Sequence, residues 1–261
     1  IYNSSSSVNL NVSQSQVGGL VGRNSGSKID TSFATGNVNF VTSSTFTTYY
    51  QDIGGLVGLN TASSTISNSY ASGTVSGQEN IGGLVGNHES SSIITNSYAT
   101  GLVKGTTDVG GLVGQSTSST ITGGYSTTSG ITVHSSGTNV GGLVGYALSS
   151  NINDSYSTQN VSTNINTNQV GGLVGYASGS TISNSYATGT VSGGSGGIVT
   201  SQSGTGNTEA IIDGTVTGAN TTSDGVENII SGTSSTGNIT VTQNSGTITG
   251  GTNGINALND G

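Results

Sequence analysis

The 261-residue chain contains no Pro, Cys, Met or Trp, and only 5% of its residues are charged. Each absence removes a class of protein. Without Cys there is no disulfide framework and no thiolate metal site. Three basic residues, Arg23, Lys28 and Lys104, stand against 11 acidic ones for a formal net charge of −8. Neutralising phosphates needs clustered cations, so no nucleic-acid partner is expected. Long apolar runs are missing as well. Val170 to Val174 is interrupted by two glycines, whereas a membrane helix needs about 20 successive apolar residues, so no membrane span is expected. The first residue is Ile1 and no signal peptide can be read, so the sequence is expected to be a piece of a longer precursor.

What the chain does contain is 46 Gly, 46 Ser, 40 Thr and 27 Asn, with 30% hydrophobic residues. Disorder requires low hydrophobicity together with high net charge, and the charge is too low for that. Order has to come from repetition. The string Gly-Gly-Leu-Val-Gly stands at Gly18–Gly22, Gly54–Gly58, Gly82–Gly86, Gly110–Gly114, Gly141–Gly145 and Gly171–Gly175, with a degenerate copy at Gly196–Thr200. A β-branched residue precedes each of the six good copies, and an aromatic follows about 15 residues later: Phe33, Tyr70, Tyr98, Tyr125, Tyr156 and Tyr186. Between Gly-Gly and the aromatic the length barely changes. The return to the next Gly-Gly varies, so insertions collect at one edge. The longest is Asn39–Asp52, whose aromatics Phe40, Phe46, Tyr49 and Tyr50 make it the candidate ligand-binding loop.

Segments such as Thr181-Ile-Ser-Asn-Ser-Tyr186 and Thr190-Val-Ser-Gly193 are short, β-branched and bounded by Gly, Asn and Ser, which predicts strands and turns. No window shows apolar spacing of three or four residues, so helix is not expected. One such unit buries too little to be stable alone, but stacked copies pair every backbone group with the coil on either side. The expected fold is all-β, a right-handed-type β-solenoid of Gly-rich repeats of about 28–30 residues, with one or two coils per repeat left open. Leu20, Leu56, Leu84, Leu112, Leu143, Leu173 and Ile198 should form one ladder. Tyr70, Tyr98, Tyr125, Tyr156 and Tyr186 should form a structural ladder, with Ile182, Asn184 and Tyr186 on the inner side of their strand. Beyond about Gly193 the string and the aromatic disappear and Gly214-Thr-Val-Thr-Gly218 is echoed by Gly246-Thr-Ile-Thr-Gly250. Residues 1–192 are therefore expected as one solenoid section and 193–261 as its continuation in a different repeat type.

The string Gly-Gly-Leu-Val-Gly followed by Ser180-Thr-Ile-Ser-Asn-Ser-Tyr-Ala-Thr-Gly-Thr-Val-Ser-Gly193 resembles the GLUG motif, a repeat of bacterial cell-surface and secreted proteins including adhesins. Asn244–Leu258 is similar to coils of autotransporter or haemagglutinin passenger β-helices. The resemblance implies an extracellular or cell-surface location and a structural or adhesive role. It carries over no catalytic residue.

A search for chemistry gives little. His88 and His134 fall in variable segments with no His-x-x-x-His spacing, so both are expected to be ordinary surface residues. Glycoside hydrolysis would need two carboxylates roughly 5 to 10 Å apart. Glu79 and Asp108, each two or three residues before a Gly-Gly on consecutive repeats, would stack about one strand spacing apart if their register aligned. They are expected to be solvated, and the chain is expected to be no enzyme. No cofactor is expected, calcium at the acidic loops of Asp213, Asp224 and Glu227 being the alternative. Two residues past each aromatic, Thr35, Ser72, Thr100, Thr127, Thr158 and Thr188 form a ladder that would suit a glycan or ice. The expected function is a rigid stalk or filament unit of a surface protein, associating end to end or with cell-surface glycans. A ligand-binding solenoid, through the Thr ladder or the 39–52 loop, is the alternative.

Overall fold

The structure is a computed structural model that describes residues 1–41, 51–127, 130–163 and 168–192, and beyond them the backbone of strand segments from Gly196–Ser203 to Ile255–Asp260. Every pairing among the described strands is parallel and joins one coil to the next. The fold is a β-solenoid.

One repeat makes one coil. The chain runs through the strands Glu79–Gly82, Val85–Glu89, Ile93–Thr95 and Tyr98–Ala99 and leaves through Val103–Gly110, which delivers it to the next Gly-Gly. Ile81 then lies beside Val109, Val85 beside Val113, Ile94 beside Ile121 and Tyr98 beside Tyr125. Two six-stranded sheets hold the Val85–Glu89 and Ile93–Thr95 positions, a nine-stranded sheet the Tyr98–Ala99 position, and a thirteen-stranded sheet both flanks of the variable return. The six-stranded sheets end at Val174–Ser178 and Thr181–Ser183. The two larger ones run on, and a separate three-stranded sheet joins Gly196–Ser203, Asp224–Ser231 and Ile255–Asp260.

The interior holds two apolar columns. Leu56, Leu84, Leu112 and Leu143 pack with Ile66, Ile94, Ile121 and Ile152 and with Ala71 and Ala99 in the first; Ile53, Ile81, Val109 and Val140 pack with Val75, Val103 and Val161 in the second. Each fully buried Leu, Ile or Val contributes about 1.5–3 kcal/mol, repeated coil after coil. The glycines pinch the coil between the columns. A Cβ on Gly83 would sit 2.1 Å from the Gly111 carbonyl oxygen and 2.8 Å from Ala99 Cβ, and one on Gly82 would sit 1.9 Å from the Val85 oxygen. Two sheets meet here backbone on backbone, and no side chain fits between them.

Corners are made by left-handed residues. Asn68, Asn96 and Asn184 have φ of 49°, 47° and 49°, and Thr31 and Asp154 occupy the same register at 51° and 50°. Asn adopts this conformation more readily than most residues. The turn also resets the alternation of side chains, so the expected inner trio is corrected. Ile182 faces in at 1% exposure, but beyond Asn184 it is Ser185 and Ala187 that face in, while Tyr186 faces out at 37%.

Serine supplies the corner hydrogen bonds. Ser69 Oγ donates to the Ser67 carbonyl (2.7 Å) and accepts the Ser32 N–H (3.1 Å), and Ser97 Oγ donates to Thr95 (2.8 Å) and accepts the Ser69 N–H (3.1 Å). Ser155 and Ser185 repeat the pattern, and Ser64, Ser92, Ser150 and Ser180 make a second ladder at the other corner. Buried backbone groups that no strand can pair are satisfied in this way. Among the described residues, no helix is long and apolar enough to cross a membrane.

Candidate functional site

Because Ala71, Ala99 and Ala187 point inward, the neighbouring aromatics and the residues two further on share the outer face. Phe33, Tyr70, Tyr98, Tyr125, Tyr156 and Tyr186 stack almost parallel, with centroids 4.7 to 5.1 Å apart. Each ring covers the faces of the next, so the ladder offers solvent its edges and hydroxyls. A sugar ring stacking on an aromatic needs an open face, which the interior of this ladder does not present. Partial burial, then the adjoining phenols, pushes the Tyr125 and Tyr156 hydroxyls above their ordinary pKa, so they remain neutral donors and acceptors at physiological pH. The outward pair Tyr146 and Tyr176 stacks separately at 5.2 Å.

Alongside runs the hydroxyl ladder. Thr35, Ser72, Thr100, Thr127 and Thr158 are exposed and Thr188 is half-buried. Their backbone N–H groups are fixed to the coil before, as in Thr100 to Ala71 (3.0 Å) and Thr158 to Ser126 (3.0 Å). The structure thus brings the Tyr and Thr ladders together on one face. Of the expected loop, Phe40 ends the strand Val38–Phe40 and packs half-buried against the second apolar column. Phe46, Tyr49 and Tyr50 lie outside the described residues, as do the side chains of His134, Asp213, Asp224 and Glu227.

A polar seam follows the residues just before each Gly-Gly string. Asp52, Asn80, Asp108 and Asn139 all have φ between 47° and 56° and stack coil on coil. Asn80 Nδ2 donates to Asp52 Oδ1 (2.8 Å), and Asn139 Nδ2 donates to Asp108 Oδ1 (2.7 Å). This register corrects the expected carboxylate pair: Glu79 lies opposite Thr107, and Asn80 is level with Asp108. The register follows from spacing alone, since Glu79 stands three residues before its Gly-Gly and Asp108 only two. The acids are not freely solvated either. Burial pushes Asp108 up to about 6 and raises Asp52, and burial together with the charges of Asp108 and Asp52 raises Glu79. Among the described residues, no group of three His, Cys, Asp or Glu is placed to hold a metal ion.

His88 is a second correction. It is not a surface residue but has 0% exposure. It sits two residues past the last Gly of its string, in register with Asn60 and Ser116, a ladder continued by Asn24, Ala147 and Ala177. Asn24 Nδ2 donates to Asn60 Oδ1 (2.7 Å), Asn60 Nδ2 to His88 Nδ1 (3.1 Å), and His88 Nε2–H to the Thr120 carbonyl (3.2 Å). An amide nitrogen only donates and a carbonyl only accepts, so this arrangement fixes the neutral Nε2–H tautomer. The signal available in the sequence was positional, a constant offset of two from the third Gly.

One coil per repeat, the glycine pinch and the Leu and Tyr ladders all fall on one recurring pattern, and that pattern matches the GLUG motif at residues 13–39, 49–76, 77–104, 136–162 and 166–192, more than half of the chain. The chain belongs to the GLUG-motif family. The GLUG copy around Gly110–Gly114 lies between the matched segments, yet its Leu112 and Tyr125 keep the register of the other coils. No curated protein and no solved structure matches the chain.

Proposed function

We propose that this GLUG chain is a rigid, non-catalytic section of a secreted bacterial surface protein, a stalk that holds adhesive or other neighbours away from the cell. One observation carries the reading: each repeat forms one coil, locked to the next by parallel pairing across six consecutive coils and, on both sides of a break at Gly124 in one of them, by two internal serine ladders. Nothing in such a stack needs to move or to bind a cofactor. Low charge leaves little to steer a partner, and dense backbone pairing leaves few places for a protease to enter. Association through the open sheet edges at the ends would turn the same unit into a filament.

Electron microscopy of the purified chain beside light scattering tests the reading. Straight monomeric rods fit a stalk, and long fibres with a repeat near about 4.8 Å fit a filament unit. Compact particles without a long axis would refute both. One further reading has a specific observation behind it, the exposed in-register Thr35, Ser72, Thr100, Thr127 and Thr158. A flat row of hydroxyls beside the Tyr edges suits an extended glycan, or ice. Glycan arrays and thermal hysteresis should then both respond to Thr100→Lys with Thr127→Lys, and binding unchanged by the pair would exclude that face.

A further inference from the structure

The polar seam contains a mismatch of donors and acceptors. Asn80 is 3% exposed; its Nδ2 is used by Asp52, and its Oδ1 is buried without a partner. The next seam residue on its other side is Asp108, one coil away, since Ile81 and Val109 are direct neighbours. Asp108 accepts one amide hydrogen bond, from Asn139 Nδ2, through Oδ1. Asp52, at the same position one coil earlier, receives two, from Asn80 and from Asn87. An acceptor without a donor thus sits beside a carboxyl group with an uncommitted oxygen.

We propose that Asp108 carries a proton and donates it from its second carboxyl oxygen to Asn80 Oδ1, so that one proton staples two coils together. The seam then becomes a continuous one-way chain: Asn139 donates to Asp108, Asp108 to Asn80, and Asn80 to Asp52. A buried acceptor without a donor is destabilising, and the shared proton removes that penalty. The ionisable groups around Asp108 favour the protonated form. Glu79 and Asp52 on the preceding coils and Tyr146 on the neighbouring strand are all acids. The one ion pair among the described residues, Lys28 with Asp30, is elsewhere. Burial acts in the same direction and holds Asp108 near 6. A carboxyl pKa raised in the folded state stabilises fully below the unfolded value near 3.8 and loses that contribution as pH rises through about 6. The staple is therefore closed in mild acid and open above neutrality, which makes this one joint between coils firmer at pH 5 than at pH 8.

The test is a carbon-13 titration of the Asp108 carboxyl in the intact chain, with two variants. The midpoint should lie near 6, and Asn80→Gly, which keeps the left-handed backbone but removes the acceptor, should lower it by about one unit. Asp108→Asn places a permanent donor where the proton would be. It should match wild type in urea midpoint at pH 5 and exceed it at pH 8. An ordinary carboxylate midpoint, a midpoint unmoved by Asn80→Gly, or an Asp108→Asn chain weaker than wild type at pH 5 would each overturn the staple.

Discussion

Acidification should weaken the solenoid at one interior point, His88. Its imidazole accepts from Asn60 through Nδ1, and protonation would turn that acceptor into a donor facing the Asn60 amide hydrogens. Complete burial adds to this, holding the folded-state pKa at about 4 against an ordinary 6.5. The sign follows from linkage: above pH 6.5 both states are neutral, and as pH falls the unfolded chain takes up a proton that the folded chain refuses until about 4. Over that window the site loses roughly 3 kcal/mol, at about 1.4 kcal/mol per pH unit of separation. That is a large share of a typical stability of about 5–15 kcal/mol. His88→Asn removes the titration while placing at the site the side chain that Asn24 and Asn60 present in the same ladder. Because Asp52, Glu79 and Asp108 titrate in both proteins, their contributions cancel in the difference. Urea unfolding of both at pH 7 and pH 4 should show that difference move by roughly 3 kcal/mol, against wild type at the lower pH. A difference that stays constant, or an imidazole NMR midpoint near 6.5 in the folded chain, would refute the argument.

Other consequences follow from particular contacts. Gly83→Ala drives a Cβ against the Gly111 oxygen and Ala99 and should cost about 3 kcal/mol or more by urea unfolding, whereas Thr100→Ala on the outer face should stay within about 0.5 kcal/mol. Ser69→Ala strips the buried Ser32 N–H of its acceptor, while the Ser67 carbonyl keeps the Thr31 N–H, and the expected loss is about 1–3 kcal/mol in the same assay. Leu84→Ala opens a cavity in the first apolar column and should cost about 2–5 kcal/mol; a smaller loss would mean the coils collapse around it.

Much of this architecture could be read directly from spacing. Leu56, Leu84 and Leu112 are interior because identical residues at a constant offset must stack once the repeats coil, and the stacked Tyr rings follow from the same rule. What spacing does not carry is the phase of each side chain after a left-handed residue. Asn184 turned Tyr186 outward. The Glu79–Asp108 pairing failed for a simpler reason, an offset from the Gly-Gly of three residues in one and two in the other. His88 was hidden for another reason. Its ladder changes chemistry from Asn to His to Ser to Ala, so only register, not composition, identifies it as interior. The second apolar column was equally illegible, since the pinch that divides the core is made by glycines with no side chain to pattern.

The rise of one strand spacing per repeat can be measured by lengthening the chain. Four extra in-register copies of residues 81–108, placed after Asp108, should add four coils, and small-angle scattering should show the maximum dimension growing by about 20 Å with an unchanged cross-section. Growth near twice that value would mean two coils per repeat, and an increase in cross-section with no added length would mean that the repeats do not stack as a solenoid.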